Sequence, residues 1–163
     1  MSRWCDVTRS APDLAAAVGD RFEATGLGLL ATVRADGSPR ISGLEPLFAL
    51  DELWLGMMPG SRKALDLLRD PRFALHSATV DKKVVDGDAK LAGRALPVDE
   101  VDGDTFGRFV DAFEARTGER LPGGAFHLFR ADVTEMSFLK PAGDHLDIDW
   151  WTETGGLRHV DRH

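Results

Sequence analysis

The sequence predicts a mainly β domain with peripheral helices, an α+β chain whose antiparallel sheet has about eight short strands beside about three helices. Three observations carry this. Short apolar runs with period-two alternation recur between Gly, Pro and Asp turn signals. The links between them have hairpin length, which antiparallel pairing permits and parallel pairing does not. Only a few stretches show helical spacing of apolar residues. Short strands with one apolar face close into a barrel or fold as a sandwich. The chain has 163 residues and contains no repeat or dividing linker, so residues 1–163 read as one domain.

The elements follow in order. Ser10-Ala11-Pro12-Asp13 reads as the cap and first turn of a helix running to Thr25, ended by Gly26, with Leu14, Val18 and Phe22 on its apolar stripe. Leu27 to Val33 alternates as a strand, and Asp36-Gly37 is a hairpin turn. Arg40 to Ala49 is the return strand, with Pro46 marking an edge or a bulge. Leu53 to Met57 is the third strand. Pro59-Gly60 breaks it, and Ser61 stands as the cap of a helix from Arg62 to Arg69, with Ala64, Leu65 and Leu68 as its expected buried face. Arg72 to Thr79 and Ala89 to Val98 are the next strands. Phe106, Phe109, Val110 and Phe113 place a helix over Asp102 to Gly118. Pro122-Gly123-Gly124 is a turn, Ala125 to Leu139 a long strand bent or broken near its middle, and two short strands end the chain.

Composition excludes several classes. A net charge of −7 argues against a protein that neutralises nucleic-acid phosphates. No apolar run reaches the length of a membrane helix, and the first residues lack an apolar signal core, so a cytoplasmic location and no membrane partner are expected. One cysteine, Cys5, makes neither an internal disulfide nor a zinc site alone. Gly-x-Ser-x-Gly and Gly-x-Gly-x-x-Gly are both absent. No His/Cys/Asp spacing matches a zinc or iron site.

Chemistry gathers at Gly60-Ser61-Arg62-Lys63. Cations at a helix start oppose the helix dipole. An anion in front of them reverses that cost, because backbone N–H groups already point there. A hydroxyl, a guanidinium fork and an ammonium complete a phosphate cradle. The alternative is two solvated side chains on an exposed turn.

This segment, followed by Asp70-Pro71-Arg72 and an apolar strand, resembles the flavin-phosphate segment of the pyridoxamine-phosphate-oxidase-like split barrels. Leu30-Ala31-Thr32-Val33-Arg34-Ala35-Asp36-Gly37-Ser38-Pro39-Arg40 is similar to their first hairpin. The resemblance spans roughly residues 20 to 98 and is weaker beyond. It implies a split antiparallel β-barrel that binds FMN, or a deazaflavin coenzyme, and acts as an oxidoreductase passing hydride to or from a small molecule. It carries the cofactor phosphate onto Arg40, Ser61, Arg62 and Lys63. It carries the flavin ring onto the backbone of Ile41, Ser42 and Gly43, and a further contact onto Gly56 and Met57. It also implies a homodimer with the cofactor at the subunit interface. Some relatives bind haem through a histidine, which makes His76 and His127 ligand candidates. A non-catalytic flavin or haem carrier, store or sensor is the rival reading.

Departures bear on the substrate. Vitamin-B6 oxidases close their substrate strand with a Lys where this chain has Glu45, and they use a Tyr where this chain has none. Their C-terminal Arg-x-His element is matched only by Leu157-Arg158-His159-Val160. Pyridoxamine phosphate is therefore not the expected substrate. Asp144, His145, Asp147 and Asp149 read as the solvated face of an edge strand, with a cation site as the alternative. Trp150 and Trp151 point to opposite faces, one to the core and the other toward the cofactor or the dimer interface.

Overall fold

The computed structural model describes residues 2–98, 103–121 and 126–163. Its elements are α1 (Trp4–Ser10), α2 (Pro12–Thr25), β1 (Gly28–Val33), β2 (Pro39–Leu44), β3 (Pro46–Ala49), β4 (Glu52–Met57), α3 (Arg62–Arg69), β5 (Arg72–Ser77), β6 (Asp88–Pro97), α4 (Gly103–Thr117), β7 (His127–Ala142), β8 (His145–Thr152) and β9 (Gly156–Arg162).

Strands pair antiparallel in the order β2-β1-β5-β6-β7-β4-β3, with β8 and β9 continuing from β7. β2 and β3 are consecutive in the chain, joined by Glu45 alone, yet they occupy opposite ends of this path. One residue cannot span an open seven-stranded sheet, so the sheet must curl until its two edges meet at Glu45. The result is a barrel, as the resemblance implied. β7 is the strand that splits it. On one edge it pairs with β6 from Phe129 to Leu139, whereas on the other edge its first residues pair with β4 and its last eight with β8.

Alternation sorts side chains between inside and outside. On β1 the inward residue Leu30 is fully buried, and on β5 Phe73, Leu75 and Ser77 point in. Leu30, Phe73 and Leu75 join Val18, Phe22, Leu53, Leu55, Phe129 and Met136 in the main core. α1 and α2 cover one side, with the Trp4 ring meeting Phe48 edge-on at 4.8 Å between centroids. α4 forms a second cluster, its Phe109 packed on Trp54 and Leu128.

Between the pairs Ala92/Glu135 and Gly93/Val133 the register slips by one, leaving Thr134 of β7 as the extra residue of a bulge that bends β7. A Cβ on Gly93 would lie 2.0 Å from the Asp132 carbonyl oxygen, so only glycine fits. Gly93→Ala is expected to destabilise the protein by about 2–3 kcal/mol, the scale of overpacking with backbone displacement, read as a lower urea midpoint at unchanged slope.

The structure corrects the sequence reading at several points. The chain has nine strands and four helices among the described residues. The single strand expected over Arg40 to Ala49 breaks at Glu45, because barrel closure demands a change of partner there. The expected helix to Thr25 stands as α2, but a further helix, α1, precedes it, and Ser10 ends that one instead of capping α2. Its hydroxyl accepts the Trp151 indole N–H at 2.9 Å. The buried face of α3 is Ala64, Asp66 and Leu67, while Leu65 and Leu68 are exposed. β7 is not broken, but it carries a bulge at Thr134 near its middle. Trp151 is buried and Trp150 exposed, on opposite faces as expected. The start of the fourth helix at Asp102 and the Pro122-Gly123-Gly124 turn lie outside the described residues.

Candidate functional site

The sheet edge β2 and the start of α3 come together. Arg40 and Ser42 sit opposite Thr32 and Leu30 of β1, on the inward face, and Ile41 and Gly43 face outward. Lys63 Nζ donates to the Gly43 carbonyl at 2.5 Å, tying the end of β2 to the first turn of the helix. One turn later the carboxylate of Asp66 accepts from Arg40 Nε at 2.6 Å, from Thr32 Oγ1 at 2.9 Å and from Arg69 at 3.3 Å. Burial pushes the Asp66 carboxyl up, but the hydrogen bonds from Arg40, Thr32 and Arg69 outweigh it and hold it below the ordinary carboxylate value. The ionised Asp66 fixes Arg40, whose two terminal nitrogens keep no protein partner among the described residues.

The turn before α3 is set by Gly60, whose φ of 65° is in the left-handed region that favours glycine. Its N–H donates to His127 Nε2 at 3.2 Å, and the His127 ring stacks on Phe129. That contact ties the turn to β7 and requires an unprotonated Nε2. Ser61 occupies the cap position, yet its hydroxyl makes no capping bond. Its Oγ is buried and has no partner. Such a group is costly unless something else bonds to it. Arg62 is exposed, without a hydrogen-bonding or ionic partner among the described residues. No acid stands in the first turn. Burial pulls the Lys63 ammonium below the ordinary lysine value, opposed by the nearby Glu45 carboxylate. An orphaned hydroxyl, an unpaired guanidinium and a desolvated ammonium at one helix start, with free backbone N–H groups, suit an oxyanion.

Not every expected residue opens onto this place. The Met57 side chain is sealed in the core. A Cβ on Gly56 would lie 2.6 Å from the Phe126 ring, so that ring covers Gly56. Neither therefore presents side-chain atoms to the start of α3. His76 holds the Ser77 carbonyl through Nδ1 at 2.6 Å and lines a different feature, a cavity of about 510 Å³ on the outer face of the sheet. Leu29, Ala31, Ile41, Ala74 and Leu91 make that cavity apolar. Sequence reasoning missed Asp66 and the tie from His127 to Gly60. A lone acid among leucines on a short helix reads as solvated, and nothing in the sequence signals a bond from a backbone N–H to a distant histidine.

A family model for pyridoxamine 5'-phosphate oxidase matches residues 14–140. The chain belongs to the pyridoxamine 5'-phosphate oxidase family. Solved structures share this family's fold. The chain is similar to a pyridoxamine 5'-phosphate oxidase-related, FMN binding protein from Nostoc punctiforme, at TM-score 0.65 and 14% identity over 94% of this chain and 96% of that one. It is similar to PhzG from Burkholderia lata, solved with tetrahydrophenazine-1-carboxylic acid, at TM-score 0.62 and 19% identity over 95% and 90% of the two chains. It is also similar to HutZ, the haem storage protein of Vibrio cholerae, at TM-score 0.59 and 20% identity over 76% and 89%. A search of curated proteins finds no match. The pyridoxamine 5'-phosphate oxidase match includes β2, α3 and most of β7 and ends before β8. No helix among the described residues is long and apolar enough to cross a membrane.

Proposed function

We propose that this chain binds a phosphorylated flavin, FMN or its deazaflavin counterpart, and serves as an oxidoreductase on a small molecule other than pyridoxamine phosphate. The observation that carries the reading is the buried, unpartnered Ser61 Oγ beside unpaired Arg62 and desolvated Lys63. Ser61, Arg62 and Lys63 would hold the phosphate, with the terminal nitrogens of Arg40 adding a fork held in place by Asp66. The backbone of Ile41, Ser42 and Gly43, with that of Gly56 and Met57, would line the ring. The cofactor, when bound, supplies acceptance and donation of hydride. The protein contributes charge, orientation and exclusion of water, and no side chain of the site need act as acid or base. Glu45, at the barrel closure near Lys63, puts a negative charge where a phosphorylated substrate would need a cation.

A homodimer belongs to this reading. Ile41 is 73% exposed and Leu29 48%, diagonal neighbours on the outer face of β2 and β1 around the apolar cavity. A second copy would cover them. Ile41→Asp is expected to convert the dimer to monomer in light scattering. An unchanged mass would remove this face from the interface.

The test of the cofactor is titration of the purified protein with FMN, with riboflavin as the control lacking phosphate. Saturation near one FMN per chain, far tighter than riboflavin, is the expected result. Equal affinities would sink the phosphate cradle. Reduction of bound FMN by a nicotinamide donor, then reoxidation by an acceptor, separates an enzyme from a carrier. A second reading, haem binding without turnover, is favoured by the His76 imidazole on the apolar cavity. A Soret band lost in His76→Ala would establish it.

A further inference from the structure

The hairpin of β8 and β9 carries a second cluster, beyond the residues that match the family. Strand alternation puts His145, Asp147 and Asp149 on one face of β8, and His159, Asp161 and His163 on the same face of the paired segment. Asp147 stands directly opposite Asp161, and Asp149 opposite His159. Three carboxylates and three imidazoles thus occupy successive rungs. Like charges directly across a pair destabilise a sheet, so the Asp147/Asp161 rung needs positive charge between its members. Lys140 of β7 lies in register with Asp147 but makes no ion pair with it among the described residues. The imidazoles fill the gaps instead. His145 Nε2 is 3.0 Å from Asp147 and its Nδ1 is 3.1 Å from Asp144. His159 lies 2.8 Å from Asp149 through one nitrogen and 2.8 Å from Asp161 through the other.

We propose that this ribbon is a divalent transition-metal site in which His145, Asp147 and Asp161 ligate one ion. One ligand atom from each of the three lies within 4.8 Å of the others. Spacing of that size closes around an ion about 2.0–2.2 Å from each donor with small rotations of exposed side chains. A mixed imidazole and carboxylate set selects Zn²⁺ or a neighbouring transition ion over Mg²⁺ and Ca²⁺, which take oxygen ligands. The other ring nitrogen of His145 faces Asp144, and the His163 ring centroid lies 5.3 Å from that of His145. Asp144 there fixes the imidazole's tautomer and orientation, as the outer partner of a ligating histidine does. Asp161 is also bonded to His159, which orients that ligand in the same way. Two coordinated carboxylates relieve the repulsion across the Asp147/Asp161 rung.

The experiment is calorimetric titration of the full chain, stripped by chelator, with ZnCl₂ and separately with MgCl₂. One Zn²⁺ per chain in the micromolar range is expected, with no heat from Mg²⁺. His145→Ala and Asp161→Asn should each weaken Zn²⁺ binding by at least about tenfold, the loss that even outer-shell partners cause. Both positions are at the surface, and circular dichroism of each variant checks its fold. Co²⁺ gives a second readout, visible d–d bands that weaken in the same variants. His76→Ala should leave both signals unchanged. Zn²⁺ affinity equal to wild type in His145→Ala and Asp161→Asn would overturn the proposal, as would absence of Zn²⁺ binding to the wild type. The titration is independent of flavin binding, since Arg62 and Lys63 lie on a different element.

Discussion

Replacing both cations at the start of α3, in Arg62→Ala/Lys63→Ala, is expected to weaken FMN binding by roughly two orders of magnitude and to leave riboflavin binding nearly unchanged. Each charge-assisted bond to a phosphate contributes about 1.5–3 kcal/mol where solvent is excluded. Arg62 is exposed and its share is screened, so about 2–4 kcal/mol for the pair is the sensible range. Lys63 also holds the Gly43 carbonyl, so its loss loosens the end of β2 as well. The riboflavin arm isolates that effect, because a displaced β2 would weaken both ligands alike. FMN affinity within twofold of wild type would show that the two cations are ordinary surface charge. Fluorescence quenching of the flavin reads both titrations.

Removal of the Asp66 carboxylate is the second large effect. Asp66→Ala leaves the Arg40 guanidinium part-buried without its counter-charge, and it strips the Thr32 hydroxyl of its acceptor. Breaking one partner of a buried pair costs about 3–5 kcal/mol, and the partial exposure of Arg40 places the loss near the lower end. For a chain of this size that corresponds to a melting temperature lowered by about 6–12 °C. The pH dependence gives an independent check. The folded carboxyl titrates below its unfolded value of 3.8, so its contribution is fully present above that value. It disappears as the pH falls through the lower, folded value. The stability gap between wild type and Asp66→Asn should therefore be widest near neutrality and narrow below pH 3.8. A gap independent of pH would mean that packing, not ionisation, carries the effect.

Much of this was legible in the sequence, for local reasons. The turn at Asp36-Gly37, the cap position at Ser61 and the stop at Asp70-Pro71 depend on a few adjacent residues, and all stand where the sequence puts them. Phe106, Phe109 and Phe113 carry the spacing that forms α4. What stayed hidden depends on contacts across the fold. Leu65 and Leu68 satisfy a helical stripe, yet the face turned to the barrel is the one whose acid meets Arg40, so both leucines are exposed. Ser10 carries every local sign of a cap but instead accepts a bond from Trp151, 141 residues away. The strand break at Glu45 follows from where the two sheet edges meet, which no window of neighbouring residues encodes. Of the candidate site, the cations on α3 were visible as a local pattern. The buried carboxylate that aims Arg40 was not.

The one-residue passage from β2 to β3 also dictates an order of assembly. The hairpins β1–β2 and β3–β4 pair close in sequence and can form once the chain has been made through Met57. Their shared tether at Glu45 holds them together but cannot shut the cylinder. Closure waits for β7, whose Leu128 and Phe129 pair with Gly56 and Leu55 across more than seventy intervening positions. Until the ribosome has released that strand, Leu30, Leu53 and Leu55 lack the Phe129, Val133 and Met136 side chains that complete their core. Such long-range pairing is slow, and a nascent chain stopped before His127 would present these residues to chaperones as an unsealed gutter.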